Sequence, residues 1–265
     1  MKARNKWIIF TLVFISVIQL SNAQQRIEKI VNKGVLTVGV SGDQPPFSMV
    51  NRKGEFIGYD IELAQLLGAS MRVKVEFAKM NFDELLPALK NNEVDIVISG
   101  MTITPKRNMS HAFVGPYLIS GKSILTKSKT LINATSPNDI NMDIKVVTLK
   151  GSTSEEFVEE YLPEVEVILE ENLDMAINKV RNDEAELLIA DYPTCAYAAL
   201  LFPDEDFAIL DQPLTIEPLG IALPNDDFLF INLVDNLLES LEMHGILALM
   251  EEKWFENPMW LMQTK

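Results

Sequence analysis

The sequence predicts an α/β protein built as two similar lobes, each a largely parallel sheet covered by helices, with a cleft between them. Three observations lead there. Strand-like and helix-like segments alternate in β-α-β-α-β order over residues 34–98 and again over 144–190. The segments "LLPALKNNEVDIVISG" (85–100) and "AINKVRNDEAELLIAD" (176–191) echo one another at an offset of 91 residues. Both read as apolar helix, polar turn with Glu, one acid and apolar strand. Four predicted strands end on small or polar residues, and the carboxyl ends of strands are where open parallel sheets bind ligands.

The first residues fall outside this plan. Lys2, Arg4 and Lys6 make a basic start, Trp7 to Leu20 is an apolar run, and Ser21-Asn22-Ala23 is a small-residue site. That pattern predicts a secretory signal cleaved after Ala23. The run is short for a membrane span, and no later segment reaches 18 apolar residues. The mature chain is therefore expected to be soluble, without membrane insertion.

Residues 34–40, "GVLTVGV", alternate as a strand and lead to the Pro45-Pro46 turn. "NRKGEF" (51–56) is a turn between short extended pieces. Asp60 is placed to cap a helix carrying Ile61, Ala64, Leu67 and Gly68. "VKVEF" (73–77) is a strand, Phe82 to Lys90 a helix with Leu85, Leu86 and Leu89 on one face, and Val94–Ile98 a strand. In the second half "IKVVTL" (144–149) is a strand, and a helix starts with Glu155. "VEVIL" (165–169) is a strand, Met175 to Val180 a helix and Ala185–Ala190 a strand. The end is an extended "EPLGIAL" (217–223), then one or two amphipathic helices over 228–255.

The chain has 265 residues, enough for one large or two small domains, and 48% are apolar, ample for a core. The formal net charge is −15, and loss of Lys2, Arg4 and Lys6 with the leader takes it to −18. That argues against nucleic acid and anionic membrane surfaces as partners. It also means that an anionic ligand needs a local cation. Cys195 is the one cysteine, so no internal disulfide can form, and no cysteine follows the apolar run to carry a lipid. Export without disulfide or anchor points to the periplasm of a Gram-negative bacterium.

The four strand ends carry Ser41-Gly42-Asp43-Gln44, Ser99-Gly100-Met101-Thr102, Gly151-Ser152-Thr153 and Asp191. Turn and capping chemistry would explain any one of them. All four together mark a site. Arg107 follows the helix-starting Pro105, and its guanidinium is a rigid fork for a carboxylate. Ser99 and Thr102 add donors beside it. Asp191 accepts only and suits an ammonium group. A carboxylate clamp facing an ammonium partner across a cleft describes an α-amino acid site. The competing readings are a surface salt bridge for Arg107 and a helix N-cap for Asp191. No catalytic constellation stands out. His111 and His244 are isolated with no metal spacing, Cys195 has no nearby His, and there is no G-x-S-x-G, P-loop or G-x-G-x-x-G. No metal or cofactor is expected.

Taken in order, "GVLTVGV", "PPFS", "GEFIGYDIELAQ", "FDELLPALKNNEVDIVISGMTITPKR", "FVGPYLISG", "GSTSEEF", "ADYP" and "KWF" resemble the periplasmic solute-binding proteins for polar amino acids, which serve ABC importers. The resemblance covers essentially all of 34–255, and SGMTITPKR is its most specific piece. It implies a type II periplasmic-binding-protein-like fold. Lobe 1 would be 24–119 with 219–265, lobe 2 would be 125–213, and the crossovers would lie near 119–125 and 213–219. It makes Arg107 the α-carboxylate clamp and Asp191 the α-ammonium partner. Ser99, Gly100 and Thr102 become first-lobe contacts, Ser152 and Thr153 second-lobe contacts, and Phe82 a stacking wall. The implied partners are a small-molecule amino acid and a membrane permease, and the chain is expected to be a monomer.

Two positions depart from the pattern. Gln44 stands where amino-acid binders usually carry an aromatic ring, and Ser41 where binders of basic amino acids often carry an acid. Both favour a smaller or more polar ligand side chain. The chain also resembles the periplasmic cyclohexadienyl dehydratases, which act on prephenate or arogenate, through "SGDQPPFS" and "GSTSEEF". That likeness would make Glu155 a general acid. Without it, Glu155 is a first-turn acid favoured by the helix dipole. A third class, a sensor module, would need a separate receptor.

Overall fold

The computed structural model describes residues 25–133 and 143–263, so the expected leader lies outside the described residues. Helix α1 (Gln25–Lys33) leads into strand β1 (Val35–Val40), whose Leu36, Val38 and Val40 are buried, as the alternation requires. Strands β2 (Met49–Val50) and β3 (Phe56–Ile57) pair around the 51–55 turn. Helix α2 (Tyr59–Met71) starts from Gly58 at φ +138°, where a Cβ would lie 2.1 Å from the Phe47 carbonyl oxygen. Only glycine fits there. Asp60 is therefore inside the first turn and not the cap that its sequence position predicts. Strand β4 (Lys74–Lys79) follows.

A capping box of Asn81 and Glu84 opens a 3₁₀ turn at Phe82–Glu84, which continues into helix α3 (Leu85–Lys90). Leu85, Ala88 and Leu89 face inward, and Leu86 is half-buried. Strand β5 (Ile96–Val97) is shorter than expected, although Val94 to Ile98 remain apolar and inward except for Asp95. Helix α4 (Pro105–Asn108), strand β6 (Ala112–Ser120) and strand β7 (Lys122–Thr126) come next. The second half adds β8 (Lys145–Leu149), α5 (Thr153–Tyr161), β9 (Glu166–Glu170), α6 (Leu173–Arg181), β10 (Leu187–Asp191), α7 (Tyr192–Leu201) and β11 (Ala208–Ile209). The chain returns through β12 (Glu217–Leu223) to α8 (Phe228–Met243) and α9 (Ile246–Glu251).

The fold is α/β, with two five-stranded mixed sheets. One runs β4-β1-β5-β12-β6 and the other β11-β7-β10-β8-β9. In each sheet the first three strands of a lobe are parallel, β4-β1-β5 in one and β9-β8-β10 in the other. An antiparallel strand then follows, supplied by a crossing segment: β12 in the first sheet, β7 in the second. The chain leaves the first sheet at Gly121, where a Cβ would stand 2.1 Å from the Thr215 carbonyl oxygen. The two crossing segments touch at that point. Lys122 N–H donates to Thr215 Oγ1 at 2.9 Å.

The 91-residue echo is a real structural repeat. Asn92 and Asp183 hold matching left-handed turns, at φ 62° and 57°. Each turn closes the same way, with Glu93 N–H donating to the Ala88 oxygen and Glu184 N–H to the Lys179 oxygen. The acid at the foot of each strand, Asp95 or Glu186, accepts from a backbone N–H of the neighbouring strand, Thr37 or Lys145.

One core lies under α1, α2, α8 and α9, where Phe230, Val234, Leu238 and Leu241 of α8 recur at helical spacing. Burying such side chains contributes about 2 kcal/mol each. A second core belongs to the second sheet's outer face, around Val146, Phe157 and Ile189. The third spans both lobes, joining Phe82, Leu85 and Leu89 to Leu149, Leu173 and Leu188. The C-terminal segment crosses to the second lobe, where Trp260 stacks on Tyr197 of α7 at 5.6 Å.

Candidate functional site

The carboxyl ends of β5, β8 and β10 converge on a narrow cavity of about 20 Å³ between the sheets. Gln44, Phe82, Gly100 and Thr102 line it from the first lobe. Leu149, Ser152, Thr153, Ser154, Leu173, Ala190, Asp191 and Thr194 line it from the second, and Lys122 from the crossing strand β7.

The first-lobe wall is held from beneath. Gly100 takes φ +55°, and its N–H donates at 2.6 Å to the Asp60 carboxylate, which is fully buried. Asp60, missed as a site residue by sequence reasoning, thus fixes a cavity-lining loop. Burial raises its pKa to about 7, and the Tyr117 hydroxyl and the Gly100 N–H offset this in part. Ser99 is fully buried and accepts from the Ser41 N–H at 3.0 Å. It supports the loop and does not line the cavity. The Gln44 carboxamide lies against Gly100, and its Oε1 is buried without a hydrogen-bond partner among the described residues.

Pro105 and the Thr104 hydroxyl start α4, and the Thr104 Oγ1 accepts from the Arg107 N–H at 3.2 Å. The Arg107 guanidinium donates to the Thr102 carbonyl at 2.8 Å and to the Gly151 carbonyl of the other lobe at 3.2 Å. Its Cζ lies 5.7 Å from the centre of the Phe82 ring. Burial lowers its pKa, opposed by the nearby carboxylates of Glu156, Asp191 and Glu217. A guanidinium stays charged regardless. Arg107 forms no salt bridge among the described residues, so the surface-pair reading fails.

Asp191 begins α7 but makes no capping bond. Its Oδ1 accepts instead from Lys122 Nζ at 2.8 Å. Lys122 is 1% exposed and also approaches Glu217 Oε2 at 3.6 Å. Glu217 accepts from the Thr153 and Thr215 hydroxyls, both at 3.2 Å. Sequence reasoning missed Lys122 and Glu217. A signal existed: a lysine opening the apolar run "KSILT" must be paired if that strand is buried.

Ser152 caps α5, accepting from the Glu155 N–H at 3.3 Å. Thr153 Oγ1 meets Thr102 Oγ1 across the cleft at 3.3 Å. The lobes also touch through Lys106–Glu156 and Lys150–Asp83, both at 2.7 Å, and through the Thr194 hydroxyl on the Pro45 carbonyl. Glu155 is bonded locally, with Oε2 accepting from the Gly151 N–H at 2.6 Å. It is not among the residues that line the cavity. His111 is held by Ser110 and the Leu86 carbonyl, and Cys195 is fully buried, its thiol pushed up by desolvation. Among the described residues no group of three His, Cys, Asp or Glu could hold a metal. No helix of the described residues is long and apolar enough to cross a membrane.

Comparison with known proteins agrees with this architecture. A glutamine-binding protein of Geobacillus stearothermophilus is 31% identical over 208 residues, 77% of this chain and 78% of its own. The cyclohexadienyl dehydratase of Pseudomonas aeruginosa is 25% identical over 251 residues, 92% of this chain and 91% of its own. The crystal structure of an ancestral amino acid-binding protein, AncCDT-1, described as a precursor of cyclohexadienyl dehydratase, superposes with a TM-score of 0.79 at 35% identity. It covers 86% of this chain and 99% of that one. Residues 36–257 match the model of a single family, and the chain belongs to it: the bacterial extracellular solute-binding proteins, family 3.

Proposed function

We propose that this protein captures an α-amino acid between its lobes in the periplasm and presents it, as a monomer, to the membrane permease of an ABC importer. The observation that carries this is the placement of opposite charges around one small cavity. Arg107 stands on the first lobe, bonded to the Thr102 and Gly151 carbonyls and not among the residues that line the cavity, and Asp191 lines it from the second lobe beside Ser152 and Thr153. A carboxylate on the former and an ammonium on the latter would tie the lobes together. Charged pairs gain most where closure removes water. Micromolar affinity corresponds to about −8 kcal/mol. The signal peptide expected over 1–23 and the amino-acid-binding relatives support the same reading.

Similarity to a cyclohexadienyl dehydratase favours a second reading, in which Glu155 delivers a proton to a leaving hydroxyl. Its geometry speaks against that role. The carboxyl group that would donate accepts from the Gly151 N–H and does not line the cavity.

A thermal-shift screen against the proteinogenic amino acids, prephenate and arogenate separates the two. A ligand at a hundredfold excess over its Kd should add about 2.7 kcal/mol. A shift with one amino-acid class supports the binder. A shift or product formation with prephenate or arogenate alone overturns it in favour of the lyase.

A further inference from the structure

Two charged residues line the cavity, Lys122 and Asp191, and they are bonded to one another at 2.8 Å. Lys122 comes from a strand whose residues are all buried, and it reaches Glu217 as well. Arg107 feels both of those carboxylates. Lys122, Arg107, Asp191 and Glu217 thus form a cluster of two cations and two carboxylates, neutral as a whole, of which Lys122 and Asp191 line the cavity, while Asp60 beneath Gly100 holds its proton below about pH 7. The neighbouring Glu156 is already matched by Lys106 at 2.7 Å. Asp43 and Asp174 do not line the cavity, and Lys79 acts on both.

Neutrality bears directly on the choice of ligand. An α-amino acid with an uncharged side chain is itself neutral, so closure over it buries no net charge. A lysine or arginine ligand would bring one further positive charge into the closed cleft. Apart from Lys122 and Asp191, every residue lining the cavity is uncharged. An unpaired buried charge is strongly disfavoured. Gln44 meanwhile offers a buried carboxamide oxygen with no partner among the described residues, which a polar ligand side chain could satisfy.

We propose that Lys122 is the specificity-determining residue of this site: by holding Asp191 and Glu217 it selects α-amino acids with neutral polar side chains and rejects cationic ones. The proposal rests on the amino-acid reading above. Without Lys122 the same cluster would carry a net negative charge and favour a cationic ligand.

The test is calorimetric titration of the proteinogenic amino acids into the wild type, Lys122→Met, and Lys122→Met with Glu217→Gln. The wild type should bind its best neutral amino acid at least a hundredfold tighter than arginine. Lys122→Met should raise arginine relative to that neutral ligand at least tenfold. The double variant loses one charge of each sign and should return to the neutral preference, although it too lacks the lysine. Arginine binding to the wild type as tightly as a neutral ligand would overturn the proposal, and this needs no variant to fold. So would an unchanged ratio in Lys122→Met, or a double variant that behaves like the single one, which would make the effect one of space and not of charge. If no amino acid binds the wild type, the amino-acid reading itself is refuted. If amino acids bind but the ratios do not follow the charge, only the role of Lys122 falls.

Discussion

Asp60 lies at the base of the site, and its replacement by asparagine tests how the Gly100 loop is held. The carboxyl group is fully buried, with Oδ2 on the Gly100 N–H. Oδ1 makes no well-aligned hydrogen bond among the described residues, though the Tyr117 hydroxyl lies beside it. Desolvation dominates and raises the pKa from 3.8 to about 7. Between those values the folded protein keeps a proton that the unfolded chain releases. The folded state therefore binds more protons, and its stability falls as pH rises through that window. A rise of this size corresponds to on the order of 4 kcal/mol across the full window. The carboxamide introduced by Asp60→Asn keeps an acceptor for Gly100 and supplies a fixed donor towards Tyr117, and it does not titrate. Urea denaturation at pH 5 and pH 8 covers most of the window. The stability of Asp60→Asn relative to wild type should rise by about 3 kcal/mol between these two values. Asp43, raised to about 6 chiefly by burial, titrates alike in both proteins and cancels in the comparison. Parallel pH profiles for the two proteins would refute the assignment of a buried, proton-holding carboxyl at Asp60.

The clamp, Glu155 and the C-terminal segment each give a further test. Arg107→Ala should abolish amino-acid binding by calorimetry while circular dichroism stays native, because its side chain bonds carbonyls at the cleft and not a core partner; near-normal affinity would remove the clamp. Glu155→Gln should leave ligand affinity within about threefold, since the amide oxygen can still accept from Gly151 and the group does not line the cavity. A large loss would put Glu155 in contact with the ligand. Trp260→Ala should destabilise the fold by about 3 kcal/mol, through loss of the stack on Tyr197 and of the bond from its indole N–H to the Trp254 carbonyl. A thermal midpoint unchanged from wild type would show that the C-terminal segment does not fasten the two lobes.

The features legible along the chain are local and periodic. Alternation in "GVLTVGV" and helical spacing in 82–90 are set by which side chains a strand or helix can bury on one face, and neighbours along the chain suffice for that. The repeat was legible for the same reason: Asn92 and Asp183 are polar residues that tolerate a left-handed turn, and Asp95 and Glu186 recur at the strand foot. Strand ends, and with them Gly100, Thr102, Thr153 and Asp191, could be placed from the βαβ order alone. The partners of these groups emerge only in three dimensions. Asp60, just ahead of the apolar helix positions, reads as a helix cap, yet Gly58 takes the capping position and the carboxylate turns to Gly100, 40 residues on. Ser99 reads as a contact but is committed to Ser41. Lys122 pairs with Asp191, 69 residues away, on a strand that enters the second sheet only because Gly121 lets the two crossing segments touch. Hydrogen bonds and ion pairs are short-ranged, so which groups satisfy one another depends on distances that closure of the sheets creates. No pattern along the chain encodes them.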